Sequence, residues 1–584
     1  MLIKYMSPYK KRIVINAIIK IFATLFEVVL PVILAHIVDE IVPLENKNLV
    51  VIWGVMMIVL SISAWILNII ANRMASKTSS DAIQNIRQDL FERSMRLSSK
   101  QIDKISVSSL ESRLTSDTYV IHRFLGATLR MGIRAVMLFI GGVLFSIYLS
   151  PKLSMVLILL IIPLVLIIRY IFKKAGPLFR QVQSNLDNMV QVIRENIRGI
   201  KVSKALDKTE YEKSRYMSSN LQVKDSELAA VDQMAIMSPA VNTILYGGLS
   251  VVIIWGANLV GNGELQVGVI MAFLSYFIQI TNSLMMMNRM FNVYNRSSAS
   301  SKRIEEVINM PIDENQVVEN EVELPESNSL VPEIEFRNVT FSYLGKKPNV
   351  KNINFKLFKV QTLGIMGATG SGKSTIIRLL LRQYDVDQGE ILLRGINIKR
   401  LSNIQANKIF GSVFQNDFLF KGSIRENIDF GRNLDDKRLL EAATHAQAIE
   451  FINTKDGALD FNLASKGVNL SGGQKQRLLL TRAFAANPEI LILDDSSSAL
   501  DFKTDANLRK AISDYYMDTT SIIVAQRVSS VIHADNIIFL NNGEILDSGT
   551  HEQLIISCEP YREIASMQLG ELSEESFEKE AIWN

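Results

Sequence analysis

Nine consecutive residues, Gly367, Ala368, Thr369, Gly370, Ser371, Gly372, Lys373, Ser374 and Thr375, form the segment whose chemistry is easiest to read. A short apolar strand, 362–366, precedes them and an apolar helical stretch follows. This is the phosphate-binding loop in its strand–loop–helix setting. Its glycines let backbone N–H groups converge on phosphate oxygens. The helix N-terminus adds a favourable dipole. Lys373 has the length to reach outer phosphates, and the Ser374 hydroxyl can ligate Mg²⁺. A second apolar strand, 489–493, ends in Asp494 and Asp495. A carboxylate at such a strand end holds Mg²⁺ directly or through water, and Asp494 is the candidate.

The elements that must position these groups belong to two kinds of domain. At 584 residues the chain is too long for one core. Hydrophobic residues are 48% of the whole, but they gather into long runs in the first half. A helix needs roughly 20 apolar residues to cross the hydrocarbon. Six segments qualify, at about 13–38, 50–72, 131–149, 152–172, 238–260 and 266–290. The links near 39–49, 150–151 and 261–265 are short and poor in Lys and Arg, whereas 73–130 and 173–237 are long and rich in both. The positive-inside tendency puts the long links and both termini in the cytoplasm. Apolar positions at helical spacing over 180–205 predict helices that continue beyond the bilayer. Gly176-Pro177 is a candidate kink, and Pro163 lies inside a span. The first run follows Lys10, Lys11 and Arg12 without a cleavage site, so it reads as a retained helix.

The expected organisation is a six-helix membrane domain over 1–308, a linker over 309–332 and an α/β domain over 333–584. The linker is acidic and holds three prolines, Pro311, Pro325 and Pro332. A net charge of +4 is too small to argue for nucleic acid. A single cysteine, Cys558, excludes an internal disulfide and a cysteine-based metal site.

Between the two strands lies Ser471, Gly472, Gly473 and Gln474, preceded by Leu470. This resembles the signature motif of ABC transporter ATPases, and the resemblance covers the last ~250 residues with every element in order. It implies an α/β P-loop ABC ATPase domain that binds ATP and Mg²⁺. Tyr343 matches the aromatic that stacks on adenine. Gln415 matches the glutamine that senses Mg²⁺ and the attacking water. Residues 498–501 match the loop that crosses the dimer interface. Six spans ahead of one such domain resemble the exporter branch, in which two half-transporters pair. There each ATP lies between one phosphate loop and the partner's signature motif. The implied setting is a multi-pass protein of a bacterial plasma membrane that exports a small amphipathic substrate: drug-like, lipid or peptide. A homodimer, or an ATP-gated channel or regulator on the same fold, stays open. A fused chain weighs against an importer. With no peptidase-like extension before the first span, a processing peptide exporter is not expected.

Two positions depart from the family pattern. Asp495 stands where the family has a catalytic glutamate, and Gln526 where it has a switch histidine. A carboxylate one methylene shorter is withdrawn by about 1 Å, a misplacement that can cost about 10²-fold. Glutamine cannot take up a proton as imidazole does. The pattern resembles the degenerate-site subunit of heterodimeric bacterial exporters. Ala464-Ser465-Lys466-Gly467 also replaces the Glu-Arg-Gly of many members.

Two further expectations concern the membrane half. Arg113–Asp117 and Ala205–Tyr211 resemble the family's two coupling regions. Glu27, Arg134, Gln279 and Met285–Met287 are candidates for the substrate path, because ionisable groups within a span face protein or a water-filled cavity. A carboxylate at Glu27 favours a cationic substrate.

Overall fold

The computed structural model describes residues 1–311, 322–343, 345, 347–401, 403–415, 417–496 and 499–569. Two compact units emerge, Met1–Glu92 with Ser108–Asn309, and Arg93–Val107 with Met310–Asn584.

In the first unit six helical stretches among the described residues are long and apolar enough to cross a membrane. They are Leu2–Leu44, Lys47–Met95, Val107–Leu149, Pro151–Ala205, Thr209–Gly261 and Val267–Ile308, and each overlaps one expected span. Helices are forced there, because hydrocarbon offers no partner for an unpaired backbone group. The helix Pro151–Ala205 runs 55 residues, unbroken through Pro163 and Pro177. The Gly176-Pro177 pair therefore does not end it.

Small residues let these helices approach closely. A Cβ at Gly248 would lie 2.4 Å from Leu160 Cδ1 and 3.1 Å from Phe277 Cζ. The long-range polar contacts are few and specific. The Asp39 carboxylate accepts the N–H groups of Gly268 (2.5 Å) and Val269 (3.1 Å), the open end of the helix Val267–Ile308. An acidic group at a helix N-terminus satisfies orphan donors and complements the dipole. The buried Tyr276 hydroxyl donates to the Val28 carbonyl at 2.7 Å.

The second unit holds β1 (Ile334–Phe341), β2 (Val350–Leu357), β3 (Thr362–Gly367), β4 (Gln388–Leu393), β5 (Ile396–Asn397) and β6 (Phe410–Val413). It continues with β7 (Gly422–Ser423), β8 (Asn462–Leu463), β9 (Ile490–Asp494), β10 (Thr520–Val524), β11 (Asn536–Asn541) and β12 (Glu544–Gly549). The larger sheet has the order β12-β11-β3-β10-β9-β6, parallel except for β12. Every residue of β9 is buried, as an inner parallel strand covered on both faces must be. The smaller antiparallel sheet, β2-β1-β4-β5, alternates instead: β2 buries Val350, Ile353, Phe355 and Leu357. The expected linker is not loose throughout. Leu324 packs on this core, and the Pro325 carbonyl accepts from Arg394 at 3.0 Å. Residues 312–321 of it lie outside the described residues.

One expectation is corrected. Arg113–Asp117 is a tightly held turn of the first unit, with Arg113 and Asp117 both buried. Arg303 and Ser300 (2.8 Å) donate to the Asp117 carboxylate, and Arg113 pairs with Glu306 at 2.9 Å. These partners pin the segment inside the helical bundle. The segment that groups with the second unit is Arg93–Val107, whereas the sequence places it in the expected membrane domain. Its short helix Ser99–Ile105 opens with a Ser98–Gln101 capping box. Tyr384 donates to Asp103 at 2.6 Å, and Gln101 donates to the Pro311 carbonyl at 3.0 Å. The second expected segment is an exposed turn, with Leu206 and Tyr211 both open to solvent.

Replacing Asp117 by Ala leaves Arg303 and Ser300 without their acceptor. The half-exposed arginine recovers part of its hydration, so the cost should be about 1–3 kcal/mol. A thermal melt of the detergent-purified chain should fall by several degrees. An unchanged Tm would mean that this pairing does not hold the turn.

Candidate nucleotide site

The sheet register brings the expected groups to one edge. Val524 at the end of β10 pairs with Ile365 of β3 on one side and Asp494 of β9 on the other. Val413 of β6 pairs with Leu493. The phosphate loop, Gln526, Asp494, Asp495 and Gln415 therefore leave the sheet at nearly one level. That is the crevice at the carboxyl ends of parallel strands where α/β folds bind ligands.

The loop needs glycine at its two ends. Gly367 has φ +143°, and a Cβ there would sit 2.1 Å from the Leu540 carbonyl oxygen. Gly372 has φ +105°, with Val350 Cγ1 only 2.8 Å from a Cβ. Lys373 opens the helix Lys373–Leu380 and folds its ammonium over the loop, donating to the carbonyls of Gly367 (2.7 Å) and Ala368 (2.9 Å). Burial pushes the Lys373 ammonium pKa down, while Asp494 and Asp495 pull it back up. Ser374 Oγ donates to Asp494 Oδ1 at 3.3 Å. Asp494 is buried, and burial raises its pKa against the opposing Ser374 hydrogen bond.

This donor set fits Mg²⁺, a hard cation that takes oxygen ligands. A hydroxyl and a carboxylate already converge, and the buried Ser371 Oγ has no hydrogen-bond partner among the described residues. A cavity of about 220 Å³ is lined by Thr369, Lys373, Ser374, Gln415, Asp494 and Gln526, among others.

Asp495 sits just past the end of β9 in a left-handed backbone conformation (φ 50°). Its Oδ2 accepts from the Gln415 amide at 3.2 Å and from the Gln526 amide at 3.5 Å. Gln476, from the helix Gly472–Ala485, reaches the Asp495 carbonyl at 3.4 Å. The three positions singled out from sequence thus form one cluster.

Tyr343 lies beside the phosphate-loop helix, its hydroxyl 3.4 Å from Thr375 Oγ1. Its ring stands edge-on to Tyr384, with centroids 5.0 Å apart. The Tyr343 N–H donates to Asn349 Oδ1 at 3.1 Å, and Asn349 also lines the cavity. Sequence reasoning missed Asn349, which lies on the loop between β1 and β2 with no motif to mark it. Ser471 caps the helix Gly472–Ala485 in a reciprocal box with Gln474. Gly472 and Gly473 leave its first turn bare, with Ala499 nearest. Lys466, in the departing loop, has φ 63° and donates its N–H to the Leu419 carbonyl at 3.0 Å. Ser498, of the expected interface loop, lies outside the described residues.

In the first unit, Glu27, Arg134 and Met286 line one cavity of about 540 Å³. Gln279, Met285 and Met287 are not among its lining residues. Sequence reasoning missed Lys20, Asn68, Asn72 and Arg130 in the same wall. Lys20 was detectable, since it is a charge within the first expected span and stands two helical turns from Glu27. Arg134 donates to Glu27 Oε2 from two nitrogens (2.9 and 3.1 Å), and Asn68 donates to Oε1 at 2.8 Å. The cation expected from sequence rested on an unpaired carboxylate, and Glu27 is paired.

Comparison with known proteins agrees with both halves. Residues 13–284 match the family model described as ABC transporter transmembrane region, and 350–498 match that described as ABC transporter. The chain is 32% identical over 577 residues to the uncharacterized ABC transporter ATP-binding protein YfiB of Bacillus subtilis, covering 98% of this chain and 99% of that one. It is 31% identical to an uncharacterized ABC transporter ATP-binding protein of Mycobacterium tuberculosis, with 97% of each covered. Its fold is similar to that of a bacterial Atm1-family ABC exporter solved with ATP bound, at a TM-score of 0.80 and 22% identity, covering 97% of this chain and 99% of that one.

Replacing Ser374 by Ala should weaken Mg²⁺ affinity by about tenfold, one lost ligand hydrogen bond or coordination contact. ATP binding without Mg²⁺ should stay near wild type. Titration of a fluorescent ATP analogue against the full chain, with and without Mg²⁺, reads both. An unaltered Mg²⁺ response would take Ser374 out of the metal site.

Proposed function

The chain belongs to the ABC transporter family, with its transmembrane and ATP-binding domains fused, and from that premise we propose that it is one half of a heterodimeric exporter whose own ATP site is the slower of two. It is a multi-pass membrane protein and an ATPase coupled to transport. In this reading it sits in the plasma membrane of a bacterium, with both termini cytoplasmic. It moves small amphipathic molecules outward.

ATP would lie along Gly367–Thr375, with adenine against Tyr343. Lys373, now donating to the Gly367 and Ala368 carbonyls, would reach the outer phosphates. Ser374, Asp494 and Gln415 would hold Mg²⁺. When bound, Mg²⁺ neutralises charge on the phosphate oxygens. Asp495, which follows the metal candidate Asp494 and lines the same cavity, would orient water, but from a shorter stem than glutamate.

The observation that carries the slow-site reading is the cluster at Asp495. Both neighbouring amides, Gln415 and Gln526, donate to one carboxylate oxygen. Water must displace one of them to use that oxygen as a base. Neither amide accepts a proton from it, so no switch stands behind it. Binding is thus supported by an intact loop, while proton transfer is not. The intact Ser471-Gly472-Gly473-Gln474 would close over the partner's phosphate loop, where a Glu and a His would carry out hydrolysis. The helix N-terminus there suits a partner's γ-phosphate. Ser99–Ile105, bonded through Asp103 to Tyr384, is the better candidate for the first coupling segment.

The test is directional. Asp495→Asn should change turnover of the assembled transporter little, whereas Ser471→Arg should abolish it by blocking the partner's site. Removing the partner's glutamate should abolish it too. Brisk, substrate-stimulated ATPase from a purified homodimer of this chain would overturn the asymmetric reading and make Asp495 a competent base.

A further inference from the structure

The membrane cavity holds more positive charge than its own residues balance. Among the described residues that line it, Lys20, Arg130 and Arg134 are cationic and Glu27 is anionic. Arg134 and Glu27 cancel each other, and Asn68 takes up the second Glu27 oxygen. Lys20 is buried at 2% exposure and donates to Asn68 Oδ1 (2.7 Å) and Asn72 Oδ1 (3.0 Å). Those acceptors are neutral. Arg130 donates to Ser76 Oγ at 3.1 Å, again neutral. Neither Lys20 nor Arg130 forms an ion pair with a carboxylate among the described residues. Charges at membrane depth are costly unless they pair or serve a pathway. The rest of the wall includes Leu30, Trp65, Met131 and Met286. Methionine and an aromatic ring give it an adaptable apolar surface.

We propose that this cavity binds the acidic headgroup of an amphipathic molecule, a carboxylate or phosphate set against Lys20 and Arg130, with its apolar tail along Trp65 and Met286. The proposal rests on the exporter reading and gives its substrate a charge. It reverses the cation expected from Glu27 alone. Arginine suits the role, because its planar fork binds carboxylate and phosphate through paired hydrogen bonds. Asn68 bridges the balanced and unbalanced halves, donating to Glu27 and accepting from Lys20. The Lys20 ammonium is therefore held in place before any ligand arrives.

Trp65 reports the site. The full chain, in nanodiscs of phosphatidylcholine, is titrated with an ω-bromo fatty carboxylate and with the matched ω-bromo alkyl trimethylammonium. The signal is the quenching that Trp65→Phe removes. The carboxylate should quench saturably and the ammonium should not. Arg130→Gln should weaken the carboxylate by about tenfold, and Arg130→Lys should retain most of the affinity. Discs containing phosphatidylglycerol separate two sources of the acidic group. A weaker apparent affinity there assigns the site to lipid headgroups, and an unchanged one assigns it to free amphiphiles. Equal or stronger quenching by the ammonium would overturn the proposal. So would wild-type affinity in both Arg130→Gln and Lys20→Met. Binding of a fluorescent ATP analogue is measured on the same samples. Lost quenching with ATP binding intact would overturn this inference alone. Lost ATP binding in the unaltered chain with quenching intact would overturn the transporter reading alone.

Discussion

The pairing of β10 with both β3 and β9 is the constraint on which the nucleotide site depends. Parallel strands in register end at one height, so fixing Val524 against Ile365 and Asp494 fixes how far the loop, the Asp494 carboxylate and Gln526 can stray. The two faces of β9 pack into different clusters, Ile490 and Ile492 in one and Leu491 and Leu493 in the other, so a one-residue slip would send every side chain to the wrong cluster. The ladder also limits Asp495. Its N–H donates to the Val524 carbonyl at 2.9 Å, which ties the residue back to β10. A shorter side chain on a backbone held this firmly cannot be moved forward by local adjustment.

The membrane unit is organised differently, by a small number of long-range polar contacts between helices. Asp39 satisfies the start of a helix more than two hundred residues away in the chain, and Tyr276 answers a carbonyl of the first span. Asn68 serves Glu27 and Lys20 at once. With no hydrophobic force between helices in lipid, such contacts and close small-residue packing fix which helix meets which.

Much of this was legible in the residues themselves. The spans follow from length and hydropathy, because hydrocarbon leaves only one backbone solution. The phosphate loop, Asp494 and Gln415 follow from local patterns tied to strand ends, and strand register carries them into place. What could not be read were partnerships at long range. Arg113–Asp117 and Ser99–Ile105 are both short polar stretches on one link between expected spans. Only the position of Arg303, on the last membrane helix, decides that the first is interior. Glu27 looked like a lone carboxylate for the same reason, since nothing near it in sequence announces Arg134. Asn349 matters through a single amide turned toward Tyr343, a geometry that no local spacing encodes.

The length of the helix Pro151–Ala205 has a mechanical meaning. Fifty-five residues at 1.5 Å each make a rod of about 80 Å, well over twice the hydrocarbon thickness. Both of its prolines sit inside that rod without ending it. A tilt of about 5° at one end displaces the other by about 7 Å, larger than one helical turn. Such an element turns a small rotation into a large translation, in the manner of a stiff oar pivoting in the bilayer. Its bending stiffness would come from the backbone hydrogen-bond ladder, from which Pro163 and Pro177 each remove one N–H.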